Sequence, residues 1–507
     1  MKHWGSAKLH ELVTFVIGGD WGKDPSADDD GYVDVFCIRG TELREWQTDR
    51  GKTAAHRKIK RSSLAKRQLQ EGDLILEISG GGPDQPVGRV ERIDCQTLAQ
   101  NPEFPKICTN FFRRLEITKE VDSSYLAWYL KFFYRTGEVV NYQAGSNNLR
   151  NLQYPEYEKL TVPLPPLGEQ RRIVEKIEAL FAQLDQGETS LRDAQKLLER
   201  YSQSLLKAAV TGQLTSEWRA ENTHRLGNSC ELLQRILQAR RHSWHGRSKY
   251  QDPDTLDITG LSGLPEGWVW VTVDQILRAS LSNGRSVPDA QVGFPVLRLT
   301  ALKDGVIDIS ERKIGAWNAE SAAPFLAQKG DVLVSRGNGS KQLVGRGGLV
   351  KVDPDPVAYP DTMIRIPILL DFVSPEWFLQ LWNSPFMRGQ IEKSAKTTAG
   401  IYKINQADIR SFCLPLPPLI EQIEIVESIN EAFDKIRTAK SWCVTELSRS
   451  AALRQSILKD AFSGKLVPQE PSDEPVAELL ARIHAERVSA PAKSCRASTK
   501  EQGGFHA

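Results

Sequence analysis

What most constrains this chain is that part of it is written twice. Residues 163–214 and 415–466 align without a gap at a constant offset of 252, with 19 identities in 52 positions. The run Pro163-Leu164-Pro165-Pro166-Leu167-x-Glu169-Gln170 returns as Pro415-Leu416-Pro417-Pro418-Leu419-x-Glu421-Gln422, and Ile173-Val174-Glu175 returns as Ile425-Val426-Glu427. Further on, Gln203-Ser204-Leu205-Leu206-Lys207 matches Gln455-Ser456-Ile457-Leu458-Lys459, and Gly212-x-Leu214 matches Gly464-x-Leu466. Beyond these, Glu231-Leu232-Leu233-x-Arg235-Ile236 echoes Glu478-Leu479-Leu480-x-Arg482-Ile483. The parts before the copies are only faintly alike: Gly72-Asp73-Leu74 against Gly330-Asp331-Val332, and Val87-Gly88-Arg89 against Val344-Gly345-Arg346. A duplication that keeps its connectors and changes its globular parts points to two readers of different targets on one frame. The alternative is a duplicated scaffold whose domains simply drifted.

Each proline of the shared run fixes φ and lacks an amide donor, so the run ends a domain and launches a helix. In the first copy Ile177, Leu184, Leu191, Leu198 and Leu205 recur every seventh residue, and Ile173, Leu180, Gly187, Ala194, Tyr201 and Ala208 form the expected second seam. This alternation of three and four is a coiled-coil pattern. Gly212 is the expected stop, giving a helix of roughly 40 residues, or ~60 Å. The second copy has Ile429, Ile436, Cys443, Ser450 and Ile457 in one seam, and Ile425, Ala432, Ala439, Glu446 and Leu453 in the other. One polar residue in each seam predicts a locally weakened or shifted contact. Neither helix buries its stripe alone. Antiparallel packing of the two gives a pseudo-two-fold frame with a globular domain at each end; homodimerisation of each helix between chains is the alternative.

The expected class is therefore α+β: two globular domains joined by two long helices paired as an antiparallel coiled coil. The expected limits are a first domain over 1–162, a spacer helix over 163–218 and a polar linker with a short helix over 219–263. A second domain over 264–414, a second spacer helix over 415–466 and a short helix with a disordered tail over 467–507 complete the chain. Within the domains, Asp34–Ile38, Asp73–Ile78, Phe294–Leu299 and Asp331–Ser335 read as strands, and Ser124–Phe133 and Trp377–Trp382 as helices. Seven scattered cysteines without a C-x-x-C pair argue against a zinc ribbon or a disulfide framework and fit a reducing cytoplasm. Nothing is long and apolar enough to span a membrane. Leu12–Gly19 is apolar but short, follows His10 and Glu11, and lacks a small-residue cleavage pattern, so it is not read as a leader.

A net charge of only +2 is low for a DNA binder, so charge must be clustered or a partner must share the DNA. One cluster exists. Arg50, Lys52, Arg57, Lys58, Lys60, Arg61, Lys66 and Arg67 lie in a run without an acid, suited either to phosphate or simply to water. Arg336, Asn338 and Lys341 sit on the glycine-rich stretch Ser335-Arg336-Gly337-Asn338-Gly339-Ser340-Lys341. Arginine and asparagine read guanine and adenine through paired hydrogen bonds, although the stretch is equally a plain turn. Asn147, Asn148, Arg150 and Asn151 precede the first shared segment as Lys396, Thr397, Thr398 and Lys403 precede the second, as matched polar loops. Arg39 and Arg298 follow comparable strands, for DNA or for a structural ion pair. No catalytic set accompanies them. The nearest approach to a base-holding Asn/Asp-Pro-Pro-aromatic loop is Asn101-Pro102-Glu103-Phe104, with the wrong third residue. There is no phosphate loop of the form G-x-x-x-x-G-K-[ST] and no H-E-x-x-H.

The two Pro-Leu-Pro-Pro-Leu-x-Glu-Gln helices with their Gly-x-Leu ends, Leu214-Thr215-Ser216-Glu217-Trp218-Arg219, the opening Leu264-Pro265-Glu266-Gly267-Trp268, and Asn338-Gly339-Ser340 followed by Tyr359-Pro360-Asp361 resemble the specificity subunit of type I restriction-modification systems. The first domain lacks the Leu-Pro-Glu-Gly-Trp opening, although Trp4 and Leu12 stand where it would have decayed. The resemblance implies a non-catalytic, cytoplasmic chain whose two domains each read half of a split DNA site, with the helices as a ruler for the unread spacer. It implies two modification subunits that supply S-adenosylmethionine and adenine-N6 methylation, and two motor-nuclease subunits that use ATP and Mg; no cofactor is expected on this chain. Under it, the expected DNA-contacting residues are Arg39, Lys52, Arg57, Lys58, Arg61, Asn147, Asn148, Arg298, Arg336, Asn338, Lys341, Lys396 and Lys403. The alternatives are the specificity subunit of a system with one fused cutting and methylating partner, and a coiled-coil scaffold without sequence preference.

Overall fold

The computed structural model describes residues 4–27, 30–82, 85–145, 150–244, 250–398 and 400–489. The chain divides into two units, one made of residues 1–190 with 445–507, the other of residues 191–444. Each unit is an α+β domain with part of both long helices.

In the first unit the central sheet is antiparallel, in the order Val13–Gly18, Phe112–Ile117, Leu74–Glu77, Val90–Arg92. Leu74–Glu77 is buried on both faces, which explains its unbroken apolar run. The strand can end on buried Glu77 because Arg89 meets it at 2.6 Å. In a second sheet Tyr32–Ile38 lies in the middle, antiparallel to Ala55–Lys60 and parallel to Lys106–Cys108. A third joins Ser79–Gly81, Arg150–Leu152 and Gln143–Ala144. Helix Ser123–Thr136 starts where the Asp122 carboxylate accepts the amides of Ser124 and Tyr125, and stops at left-handed Gly137. Its buried face carries Tyr125, Leu126, Leu130 and Phe133. Strand Gly5–Lys8 pairs with Thr161–Leu164, so the domain closes directly before the first long helix.

The second unit repeats this plan, with the central sheet extended and the second sheet reduced to two strands. Ser282–Asn283, Met363–Ile366, Val332–Ser335 and Gly347–Leu349 take the places of the four central strands, and two short strands extend that sheet. Asp289–Leu297 with Arg312–Gly315 forms the second ribbon, and Gly337–Asn338, Ile401–Lys403 and Lys396–Thr398 form the third sheet. Val269–Thr272 pairs with Cys413–Leu416 to close the domain. The faint Gly-Asp echo has a structural cause. Asp73 and Asp331 are buried at the start of the same strand, and each accepts a backbone amide, from Gln70 at 2.6 Å and Gln328 at 2.9 Å. Asp73 pairs with Arg114 at 2.7 Å, and Asp331 lies 3.4 Å from Arg278 and 3.7 Å from Arg365. Burial pushes both carboxyls up in pKa while these arginines pull them down. The short helices also repeat: Ser229–Ser243 buries Ile236 in the core of the second unit, and Val476–Ser489 buries Leu479 and Ile483 in that of the first. The closing segment thus completes the domain that opens the chain.

The long helices run Leu167–Thr211 and Leu419–Phe462. In each unit they pack antiparallel. In the first, Asp185 and Glu188 meet Arg454 while Glu188 accepts from Ser450 at 2.7 Å; in the second, Leu206, Ala209 and Val210 lie against Ile425 and Ile429. In the first seam of the first copy Ile177 and Leu205 are buried as the spacing predicts and Leu184, Leu191 and Leu198 are half-buried; in the second, Ile173 is buried as predicted, but beyond it the contact is displaced by one residue. Gly187 and Tyr201 are exposed and Leu180 and Ala208 only half-buried, whereas Val174, Phe181 and Ala209 are buried. In the second copy Leu453 is likewise exposed, and Arg454 and Ala461 turn inward instead. Leu180 and Phe181 are both apolar, so the partner decides between them: Phe181 meets Trp128 edge-on at 5.1 Å and lies 5.0 Å from the Arg454 guanidinium. The polar seam residue Ser450 is satisfied by Glu188, so the weak point is a hydrogen-bonded station.

The repeated Glu-Gln pairs join each domain to its helix. Glu169 accepts the Trp4 indole N–H at 3.0 Å, and Glu421 accepts that of Trp268 at 2.8 Å. Trp4 therefore does in the first domain what the tryptophan of the Leu-Pro-Glu-Gly-Trp opening does in the second. Gln170 accepts the Asp122 amide at 2.9 Å and donates to the Pro165 carbonyl at 2.9 Å. Gln422 repeats this with Ser374 at 2.8 Å and Pro417 at 2.9 Å. All four side chains are buried, so losing any of them strands a donor or acceptor.

Candidate nucleic-acid interface

The third sheet of each unit gathers residues that sequence separates widely. In the second unit, Asn338 pairs across the sheet with Tyr402, Gly337 with Lys403, and Lys403 with Lys396. Lys396 and Lys403 are exposed, directly opposed, and form no ion pair among the described residues. Like charges facing each other across a ladder are unfavourable without an anion between them. Arg336 precedes this sheet half-buried; its amide donates to the Thr362 carbonyl and its carbonyl accepts from Ile404. The Asn338 side-chain oxygen accepts the Ser340 amide at 2.9 Å, leaving both amide hydrogens and one lone pair for a ligand. Lys341 is exposed on the loop that follows, which Arg388 ties down through the Lys341 and Val344 carbonyls.

The first unit builds the same sheet without the lysines. Ala144 stands opposite Asn151, Arg150 opposite Gly81, and the strand is bulged at Gly80, whose φ of +106° suits glycine. Asn147 and Asn148 lie outside the described residues, between the strands Gln143–Ala144 and Arg150–Leu152. Phe111, with 47% of its surface exposed, lies beside Gly80. Nothing in the sequence pattern marked this aromatic residue, because its place comes only from the sheet.

The remaining expected residues divide by duty. Arg57 donates to the Trp21 and Gly22 carbonyls and covers the Trp21 ring, and Lys58 donates to the Ala27 carbonyl at 3.0 Å. Both hold the loop over their own strand. Arg39 is clasped by buried Glu42 at 2.7 Å and reaches the Thr53 carbonyl, the ion-pair alternative for this residue. Arg298 is half-exposed, 3.9 Å from Asp289. Lys52 and Arg61 are exposed, with no side-chain partner among the described residues. Also among these residues, no group of His, Cys, Asp and Glu could hold a metal and no helix is long and apolar enough to cross a membrane.

Residues 2–191 match the type I restriction modification DNA specificity domain. Along nearly its whole length the chain is similar to the type I restriction enzyme EcoKI specificity subunit of Escherichia coli (strain K12), 29% identical with 98% of each chain covered. Over nearly its whole length the chain is thus similar to type I specificity subunits. The StySPI specificity subunit of Salmonella potsdam is 26% identical over 96% of each chain. The same fold occurs in the crystal structure of the HsdS subunit from Thermoanaerobacter tengcongensis, with a TM-score of 0.57 at 19% identity, covering 92% of this chain and 98% of that one. These relatives are named as specificity subunits of restriction enzymes, which matches the resemblance seen in the repeated motifs.

Proposed function

We propose that this chain is the non-catalytic DNA-reading subunit of a type I restriction-modification complex. Each domain, over 1–162 and 264–414, reads one half of a bipartite site through its three-stranded sheet, and the long helices set the unread spacer. The observation that carries this is the recurrence of one sheet in both units, with exposed Lys396 opposite Lys403 and Asn338 in the next strand. Arg336, Asn338, Lys341, Lys396 and Lys403 contact the second half-site; Asn147 and Asn148 contact the first, with Lys52 and Arg61 on its phosphates rather than its bases. Arg39, Arg57, Lys58 and Arg298 support the loops that do so. Two modification subunits, binding S-adenosylmethionine, methylate adenine N6, and two restriction subunits, using ATP and Mg, complete the nuclease in the cytoplasm.

The test is single-molecule sequencing for N6-methyladenine in cells expressing this chain with a type I modification subunit. Methylation at one split motif, on opposite strands in its two halves, is expected, with Asn338→Ala relaxing one half only. A correct base contact gives about 1–3 kcal/mol of discrimination. Absence of any motif, with a modification subunit that works alongside another specificity chain, overturns the proposal.

A further inference from the structure

We infer that the first domain carries a second DNA-backbone site, on a basic ribbon formed by strands other than those of its base-reading sheet. This rests on the DNA-reading function proposed above and deepens it.

The acid-free run from Arg50 to Arg67 folds as strand Ala55–Lys60 followed by helix Arg61–Arg67. Folding sorts its cations into two groups. Arg50 pairs with Asp94 at 3.1 Å, Arg57 and Lys58 hold carbonyls of the 21–27 loop, and Arg67 donates to the Gly18 carbonyl at 2.8 Å. Lys52, Lys60, Arg61 and Lys66 are exposed and have no side-chain partner among the described residues. The first group builds the ribbon; the second leaves it bare and positive.

The matching ribbon of the second unit neutralises itself. Lys313 pairs with Asp289 and Arg312 lies 3.8 Å from Asp355, and off the ribbon, on a strand that extends the central sheet, Lys303 meets Asp308 at 3.3 Å and Glu311 at 3.0 Å. That unit keeps its unpaired lysines on the reading hairpin, at Lys396 and Lys403, where the first unit has Ala144 and Asn151. A polyanion is the ligand that a line of unpaired cations fits, because each phosphate neutralised releases condensed counterions. The two domains thus grip the backbone differently: the second at the sheet that reads bases, the first also beside it. The chain meets phosphate despite a net charge of only +2 because these cations are unpaired.

The test compares the full chain with the variant Lys52→Gln, Lys60→Gln, Arg61→Gln, Lys66→Gln, whose fold is checked by circular dichroism. Affinities are measured for two fluorescent duplexes, one bearing the motif found by methylation sequencing and one scrambled, across a salt series. The slope of log affinity against log salt should fall by about 3–4 on both duplexes, at ~0.9 per lost contact. From 50 to 200 mM salt, that is a loss of affinity on the order of 100-fold smaller than for the unaltered chain. The ratio between the duplexes should stay within about twofold, since phosphate contacts carry no sequence information. The control Lys303→Gln, Arg312→Gln, Lys313→Gln should change the slope by less than about 1. An unchanged slope in the fourfold variant overturns the ribbon site. Equal affinity of the unaltered chain for the two duplexes overturns the sequence-reading function instead, while the slope still reports on the ribbon; no DNA binding overturns both.

Discussion

The two joints between domain and helix share a plan but carry opposite charge logic. At the second, the acid belongs to the helix: Glu421, fully buried, accepts from Trp268, from Thr215 at 2.7 Å and from Arg219 at 2.7 Å. At the first, the base belongs to the helix: Arg172 meets Asp473 at 2.6 Å and Glu470 at 3.5 Å, on the segment after the second helix. In the second copy the residue at the position of Arg172 is Glu424. Glu169, with Trp4 as its strongest hydrogen bond, is pushed up in pKa by burial. The lesson is that duplication preserved the buried acceptors that dock each domain, while the polar contacts around them diverged so that each return segment suits its own joint.

The largest effect should separate the joints. Glu421→Ala strands three donors, one an arginine with only 13% of its side chain exposed, and should cost about 4 kcal/mol. Glu169→Ala should cost about half as much, because no arginine loses its carboxylate. Hydrogen exchange of strands Val269–Thr272 and Gly5–Lys8 reads each loss locally, and equal losses break the comparison. Next comes the helix seam. Phe181→Ala should cost about 3 kcal/mol, and Leu180→Ala under about 1. Phe433, its half-buried counterpart in the second copy, should fall between them. Urea denaturation followed by circular dichroism checks the order, and a larger loss at Leu180 would restore the original seam. The smallest effect tests the charge swap. Arg172→Glu should destabilise the first unit by about 1 kcal/mol, with Asp473→Arg in the same chain recovering most of it. A double variant no better than the single one removes pairing as the reason for the swap.

Much of this was legible in the sequence because it depends on local chemistry. The repeat located both long helices, the proline run their starts and Gly212 the end of the first. The Gly-Asp echo marked the same buried strand in both domains. The displaced seam was half-legible: Val174, Phe181 and Ala209 are each identical in the second copy, at Val426, Phe433 and Ala461, whereas Leu180 is not. Periodicity alone favoured Leu180, because a helix offers two adjacent apolar residues without naming the one that meets a partner.

What the sequence by itself determined is the order of parts: domain, helix, domain, helix, with a repeated Glu-Gln pair at each junction. Composition and hydrophobic period suffice for that, since they fix which stretches must bury a stripe. Only the tertiary structure decided which of the eight cations between Arg50 and Arg67 remain available, and that Asn338, Lys396 and Lys403 share one sheet. The physical reason is that a charge is spent or free according to the carbonyls and carboxylates folded against it. Those neighbours come from strands far away in the chain, which no local pattern can place.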